Sequence, residues 1–166
     1  MNKDLSTEMF HYGAIGNCRT AALVSDKGSI DWLCLPDFDS ASVFASILDK
    51  EKGGHFSINT NGYNINQRYI AHTNILCTSF VAEDAAFDIL DFMPRYRIGE
   101  YDTHYLPAEV YRYIKVRKGR PRFRPEFFPA MNYARDKPSY FINDDYIKVF
   151  AEDNLYDTFY LYSSFD

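Results

Sequence analysis

The sequence predicts an all-β fold, an antiparallel β-sandwich with one short helix near residues 40–50, and three observations carry that expectation. First, 14 Tyr, 14 Phe and one Trp make up 17% of the 166 residues, and Tyr and Phe each outnumber Leu. Helical bundles are built mainly from Ala and Leu, whereas aromatic and β-branched side chains fit the pleated, half-buried surface of a sheet. Second, hydrophobic residues alternate with period two from His55 onward. Third, turn chemistry punctuates those runs at regular intervals, giving ten or so strands against one helix. That pattern excludes a doubly wound parallel sheet and the ligand crevice such sheets carry at a topological switch point.

The elements follow in order. GAIGNC reads as a turn leading into the first strand, because a phosphate-binding glycine loop would have to follow a strand and open a helix. Thr20 to Val24 and Ser29 to Leu35 are strand-like, and Ser25-Asp26-Lys27-Gly28 closes them into a hairpin. In DFDSASVFASILDKEKGG, Val43, Phe44, Ile47 and Leu48 recur at helical spacing, the Ser/Asp cluster offers an N-cap, and Gly53-Gly54 ends the element. HFSINT, YNINQRYI, NILCTSFVA and AFDILDFM then read as antiparallel strands joined by hairpins at Asn61-Gly62 and Glu83-Asp84-Ala85. Val110, Arg112, Ile114 and Val116 alternate with Tyr111, Tyr113, Lys115 and Arg117; Lys118-Gly119 turns the chain, and Arg120 to Phe128 returns, broken by prolines that suit an edge or a bulge. SYFIN and YIKVFA flank Asn143-Asp144-Asp145 as another hairpin, and DTFYLYSSF is a last strand. Its close at Phe165-Asp166, with no turn or polar tail, reads as part of a longer protein.

Composition narrows the function classes. No apolar run approaches the ~18 residues of a membrane-spanning helix, and no membrane partner is expected. MNKDLSTEMF lacks the n-region and h-region of a secretory signal, so the expected location is cytoplasmic. Cys18, Cys34 and Cys77 are odd in number and without CxxC spacing, and the four His form no ligand pair, so buried free thiols are expected, with no metal and no cofactor. The net charge of −5 argues against nucleic acid, although half of the 18 Lys and Arg lie between Arg95 and Arg124. YRYIKVRKGRPRFRPEFF interleaves cations with aromatics as a single-strand binder would. Strand alternation accounts for the same charges as one solvated face of a hairpin, paired with acidic residues elsewhere.

The densest carboxylate cluster is Asp31, Asp37 and Asp39 around Trp32 and Phe38. Paired acids beside aromatics are what a glycoside hydrolase uses, but Asp37 and Asp39 flank Phe38 after Pro36, as turn and capping residues do. The residues support a loop facing a substrate or a second domain, and no catalytic residue is assigned. From chemistry alone the expectation stops at an aromatic-rich sandwich.

IGNCRTAALVSDKGSIDWLCLPDFDSASVFASILD resembles the N-terminal region of glycoside hydrolase family 15 proteins, the glucoamylase and trehalase-like enzymes. Arg68-Tyr69, ILDFMPR at Ile89 to Arg95, the turn at Lys118-Gly119 and NYAR at Asn132 to Arg135 extend the likeness over nearly the whole chain. The resemblance implies one domain over residues 1–166, an N-terminal β-supersandwich, with a catalytic (α/α)6 barrel downstream as its partner. That barrel carries both catalytic glutamates of an inverting α-glucoside hydrolase, so this chain alone is expected to be inactive. The family's LPRFDS reads LPDFDS here, Asp37 standing for an arginine and Ala41 for a proline. Trp32, Phe38 and Asp39 are the residues expected nearest the substrate entrance or the interdomain contact. The alternatives are a free-standing carbohydrate-binding module, with its aromatics as a sugar-stacking platform, and a domain that homodimerises through an open sheet edge.

Overall fold

The computed structural model describes residues 11–99, 103–151 and 158–164. The chain end at Phe165-Asp166 lies outside them. In chain order the strands are β1 (Tyr12–Gly16), β2 (Ala21–Ser25), β3 (Ile30–Cys34), β4 (Ser42–Phe44), β5 (His55–Asn59), β6 (Asn64–Tyr69), β7 (Leu76–Val81) and β8 (Ala86–Phe92). They continue with β9 (Tyr96–Ile98), β10 (Thr103–Tyr105), β11 (Tyr111–Lys118), β12 (Arg124–Phe128), β13 (Pro138–Ile142), β14 (Tyr146–Ala151) and β15 (Thr158–Tyr162). One sheet runs β1-β2-β3-β5-β12 with β4 also on β3, a second runs β11-β8-β7-β6, a third runs β13-β14-β15, and β9 with β10 makes a separate ribbon. Every pairing is antiparallel.

The first two sheets bury their facing residues against each other, as expected of a sandwich. Ile15, Ala22, Val24, Ile30, Leu33, Val43 and Phe44 of the first sheet meet Leu76 of the second, with Met93 just beyond β8. Beside them Ile58 meets Phe80, Phe87 and Ile89. The Phe80 and Phe87 rings stack at 4.6 Å. Each fully buried side chain of this size contributes roughly 1.5–3 kcal/mol of burial free energy. The third sheet packs Val149 and Ala151 on Met131, with Phe127 of β12 and Phe159 of β15 meeting edge to face.

Four expectations are corrected. Residues 41–49 form no helix: Ser42–Phe44 are a strand on β3, and the amides of Ala45 and Ser46 donate to Gly53 and Gly54 rather than along a helix. Leu48, which helical spacing assigned to the core, is 74% exposed. A single helical turn recovers few hydrogen bonds for its nucleation cost, whereas three buried residues on an existing strand recover theirs at once. The only helical segment among the described residues is α1 (Met131–Ala134), where Asn132, Tyr133 and Ala134 all have positive φ, making it a left-handed turn. Secondly, GAIGNC includes the strand β1 as well as its turn.

Thirdly, Asn61-Gly62 and Lys118-Gly119 do not close hairpins. β5 pairs with β3 and β12, and β6 with β7, so the chain crosses between sheets at Asn61-Gly62 and again between β11 and β12. Gly119 has φ +64° and sits so close to the Asp84 carbonyl that a methyl group would collide with it. Pro125 does lie on an edge strand, since β12 has β5 as its only neighbour in the sheet.

Fourthly, the basic stretch is not one solvated face. The Arg112 side chain lies between the sheets, 6% exposed, and pairs with the fully buried Asp91 side chain. Its Nε donates to Asp91 Oδ1 at 2.8 Å and its Nη2 to Oδ2 at 3.2 Å, within the second sheet. The same guanidinium donates to the Phe56 carbonyl of β5 at 2.5 Å and to the Gly28 carbonyl in the β2–β3 turn, and lies 4.8 Å from the Phe56 ring centre. Burial pushes the Asp91 carboxyl above the usual carboxylate range, while Arg112 pulls it back down. Other cations of the stretch are matched as expected: Arg117 Nε lies 3.0 Å from Asp88, Lys118 donates to the Glu83 carbonyl and Arg124 pairs with Glu126.

Removing one member of a buried pair leaves an uncompensated charge. Arg112→Met should therefore cost about 3–5 kcal/mol in urea denaturation. Adding Asp91→Leu should return a large part of that loss, because the stranded carboxylate is then gone.

Candidate functional site

One end of the sandwich gathers the sequence motifs. Asn17, in the β1–β2 turn, is buried, and its side chain makes four backbone hydrogen bonds. Its Oδ1 accepts from the amides of Arg19 and Thr20, and its Nδ2 donates to the carbonyls of Pro94 and Pro107. Thr20 Oγ1 donates to the Cys34 carbonyl at 2.6 Å. These bonds hold the β1–β2 turn, the end of β3 and the segments flanking β9 and β10 in one cluster.

The Pro36–Ser40 loop is fastened to the same cluster. Arg19 Nε donates to Asp37 Oδ1 at 2.7 Å, its Nη1 reaches the Leu106 carbonyl, and the Phe38 amide donates to the Arg19 carbonyl. Asp37 and Ser40 close the loop on themselves, the Asp37 amide donating to Ser40 Oγ and the Ser40 amide to the Asp37 carbonyl. The acid that stands for a family arginine is thus the acceptor for Arg19. Tyr133 Oη, from the left-handed turn, approaches the Ser40 carbonyl at 3.5 Å, and Asn132 Nδ2 donates to Asp136 Oδ2. Two motifs separated by 93 residues therefore meet here. Three consecutive non-glycine residues with positive φ are costly, roughly 1–2 kcal/mol each, and such strain persists where surrounding structure dictates the conformation.

Phe38, 62% exposed, and Asp39 lie on the exposed part of this loop. Trp32 does not join them on it. It is half-buried within β3 opposite Leu23, on the face away from the core residue Leu33. Sequence reasoning missed Arg19, Arg95, His104 and Tyr133. Arg95 donates to Sγ of the exposed Cys18 at 3.4 Å and lies 3.3 Å from His104 Nδ1, while Tyr96 and Tyr105 stack nearby on the ribbon at 6.4 Å. Cys34 and Cys77 are the buried thiols; Cys18 is not. NYAR was the available pointer to Tyr133, but nothing local indicated its contact.

The carboxylates are mostly engaged. Asp31 accepts from Tyr12 Oη at 2.9 Å and from Ser29 Oγ at 2.6 Å, and Asp37 is paired with Arg19, leaving Asp39 exposed. Glycoside hydrolysis requires a protonated and an ionised carboxyl facing the same bond; this loop provides a polar and aromatic rim instead. Among the described residues no group of three His, Cys, Asp or Glu could hold a metal ion. An open groove of about 570 Å³ along His11, Asp26, Lys27 and Asn66 lies at the opposite end of the sandwich.

Residues 4–157 match the family described as trehalase-like, N-terminal. The chain belongs to that family. This trehalase-like N-terminal domain is 42% identical over 132 residues to a trehalase of Thermoplasma volcanium, covering 77% of this chain and 20% of that protein. It is 42% identical over 120 residues to the Thermoplasma acidophilum trehalase, covering 70% and 20%. With trehalase 1 of Sulfolobus acidocaldarius the identity is 36% over 140 residues, covering 82% and 22%. The domain thus spans about a fifth of the length of the curated relatives it matches. No solved structure matches it.

Asn17→Ala would leave four backbone groups of the domain without their partner. At about 1–3 kcal/mol per unsatisfied buried group, the thermal midpoint should fall by more than for any exposed alanine variant. Alkaline pH tests the Tyr12–Asp31 contact. Burial and the Asp31 carboxylate raise the Tyr12 hydroxyl to about 12 from its ordinary 10. The unfolded chain then loses this proton first, so the contribution is complete below pH 10 and is lost as pH rises toward 12. Urea midpoints should fall across that window, and fall less in Tyr12→Phe.

Proposed function

We propose that this chain is the non-catalytic N-terminal domain of an inverting α-glucoside hydrolase of glycoside hydrolase family 15. In this reading it packs against and supports a catalytic (α/α)6 barrel, and the Pro36–Ser40 loop lines the substrate entrance. The observation that carries the proposal is the coverage: the match takes in most of this chain but only about a fifth of each trehalase. The state of the carboxylates supports it, since Asp31 and Asp37 are both committed to structural contacts. Trehalose and other α-glucosides are the substrate class proposed for the whole enzyme, the choice among them belonging to the barrel.

The exposed aromatics Phe38, Tyr96, Tyr105 and Tyr133 also support a second reading, a carbohydrate-binding module that stacks sugar rings on this end of the sandwich. The test uses the full-length enzyme. If the loop lines the entrance, Phe38→Ala and Asp39→Ala should raise KM severalfold with a smaller change in kcat, the signature of lost binding. Residues 1–166 alone should neither hydrolyse nor measurably bind maltose, isomaltose or trehalose in calorimetry. Unchanged kinetics in both variants at intact stability would remove the entrance role, and sugar binding by residues 1–166 alone would favour the module.

A further inference from the structure

The third sheet is apolar on both faces. Val149, Ala151 and Phe159 of its inner face pack on Met131 and Phe127, while Tyr140 and Ile142 on the same face are exposed. Register places Phe141, Lys148 and Tyr160 side by side across the three strands on the other face, with Tyr146 beside Tyr162 and Phe150 between Ser139 and Thr158. Five aromatic side chains and one cation thus share that face. Their rings form a chain of contacts: Phe141 to Tyr146 at 6.4 Å, Tyr146 to Tyr160 at 5.4 Å, Tyr146 to Tyr162 at 5.8 Å and Tyr160 to Tyr162 at 6.2 Å. Lys148 Nζ lies 5.3 Å from the Phe150 ring centre. Phe141 is 53% exposed and Tyr162 69%.

A sheet that meets water on one side alternates apolar with polar residues, and one covered on both sides reads as a nearly continuous apolar run. YIKVFA and TFYLY are of the second kind. Contiguous exposed apolar surface marks a contact site, and tyrosines are favoured there because ring and hydroxyl serve both apolar and polar neighbours.

We propose that the outer face of β13-β14-β15 is the docking surface for the polypeptide that follows residue 166 in the full-length protein. The inference rests on the reading of this chain as the N-terminal domain of a longer enzyme. Its occupant is named by length: about four fifths of each trehalase relative lies outside the stretch this chain matches. The docking segment should present an apolar surface with an acidic or carbonyl group opposite Lys148, the one cation on the face.

Hydroxyl-radical footprinting of the full-length protein tests this, with the same protein unfolded in urea as reference. At the exposures of the isolated domain, Phe141, Tyr160 and Tyr162 would be oxidised within two- to threefold of the unfolded rate. Docking should lower oxidation at all three by tenfold or more. Native rates near the reference would overturn the proposal, as would a reading frame that stops after Asp166. Protection that requires added trehalose or maltose would assign the face to sugar, and protection lost on dilution together with a dimer in light scattering would assign it to a second copy. Because the footprint is read independently of an activity assay on the same protein, a protected face in a protein without glycosidase activity would remove only the proposed function, and a bare face in an active enzyme only this proposal.

Discussion

The guanidinium of Arg112 is the contact on which the two main sheets depend. It sits across from Asp91 in the β8–β11 register and reaches the carbonyls of Phe56 in β5 and of Gly28 in the β2–β3 turn. Apolar packing between sheets is non-directional and tolerates sliding by a fraction of a residue. Directional bonds from one planar group to three fixed acceptors do not. A buried ion pair brings little net stability once desolvation is counted, and in some proteins its role is to specify one arrangement. Here that arrangement joins β8-β11 to β5 and the β2–β3 turn, where Gly28 lies against Phe80.

With the sheets aligned, the end of the sandwich that carries the Pro36–Ser40 loop is set by a second polar device of a different kind. Asn17 is neutral, and all four of its bonds go to main-chain groups, so it positions backbone where Arg112 positions layers. The Pro36–Ser40 loop inherits its place through Arg19, which is one residue from an amide bonded to Asn17 and also bonds to it directly. A loop attached in this way can expose Phe38 to solvent without losing its conformation. The left-handed turn at Asn132–Ala134 leans on that loop through Tyr133, so the strain is held by a neighbour that is itself held.

The fold class was legible because strand periodicity is a local property, and β2-β3, β6-β7-β8 and β13-β14-β15 follow from turns whose partners adjoin in sequence. What failed was pairing at a distance. Asn61-Gly62 and Lys118-Gly119 carry hairpin chemistry, yet the strands they join belong to different sheets, because β5 pairs with β3 on one edge and with β12 on the other. β1 was hidden by its glycines. Gly13 is needed because any side chain there would meet Leu76 of β7, a reason that lies 63 residues away. Arg112 was visible as an anomaly, a cation sharing strand parity with Ile114 and Val116, but its acceptors were not. At the candidate site, Phe38 and Asp39 were legible from turn chemistry and resemblance. Arg19, Arg95 and Tyr133 acquire their roles through contacts spanning 18 to 93 residues.

The two exposed regions differ in what they can do physically. The loop end is polar and its backbone is pinned at many points; a surface held in that way discriminates among neighbours by geometry. The aromatic face of β13-β14-β15 is broad, and its adhesion scales with area more than with bond direction. Phe127 and Met131 join the two, since both pack under the third sheet while α1 and β12 continue into the sandwich. One surface thus depends on bond direction and the other on area. That division suits a domain whose proposed work is to hold a second domain in register while lending it a rim.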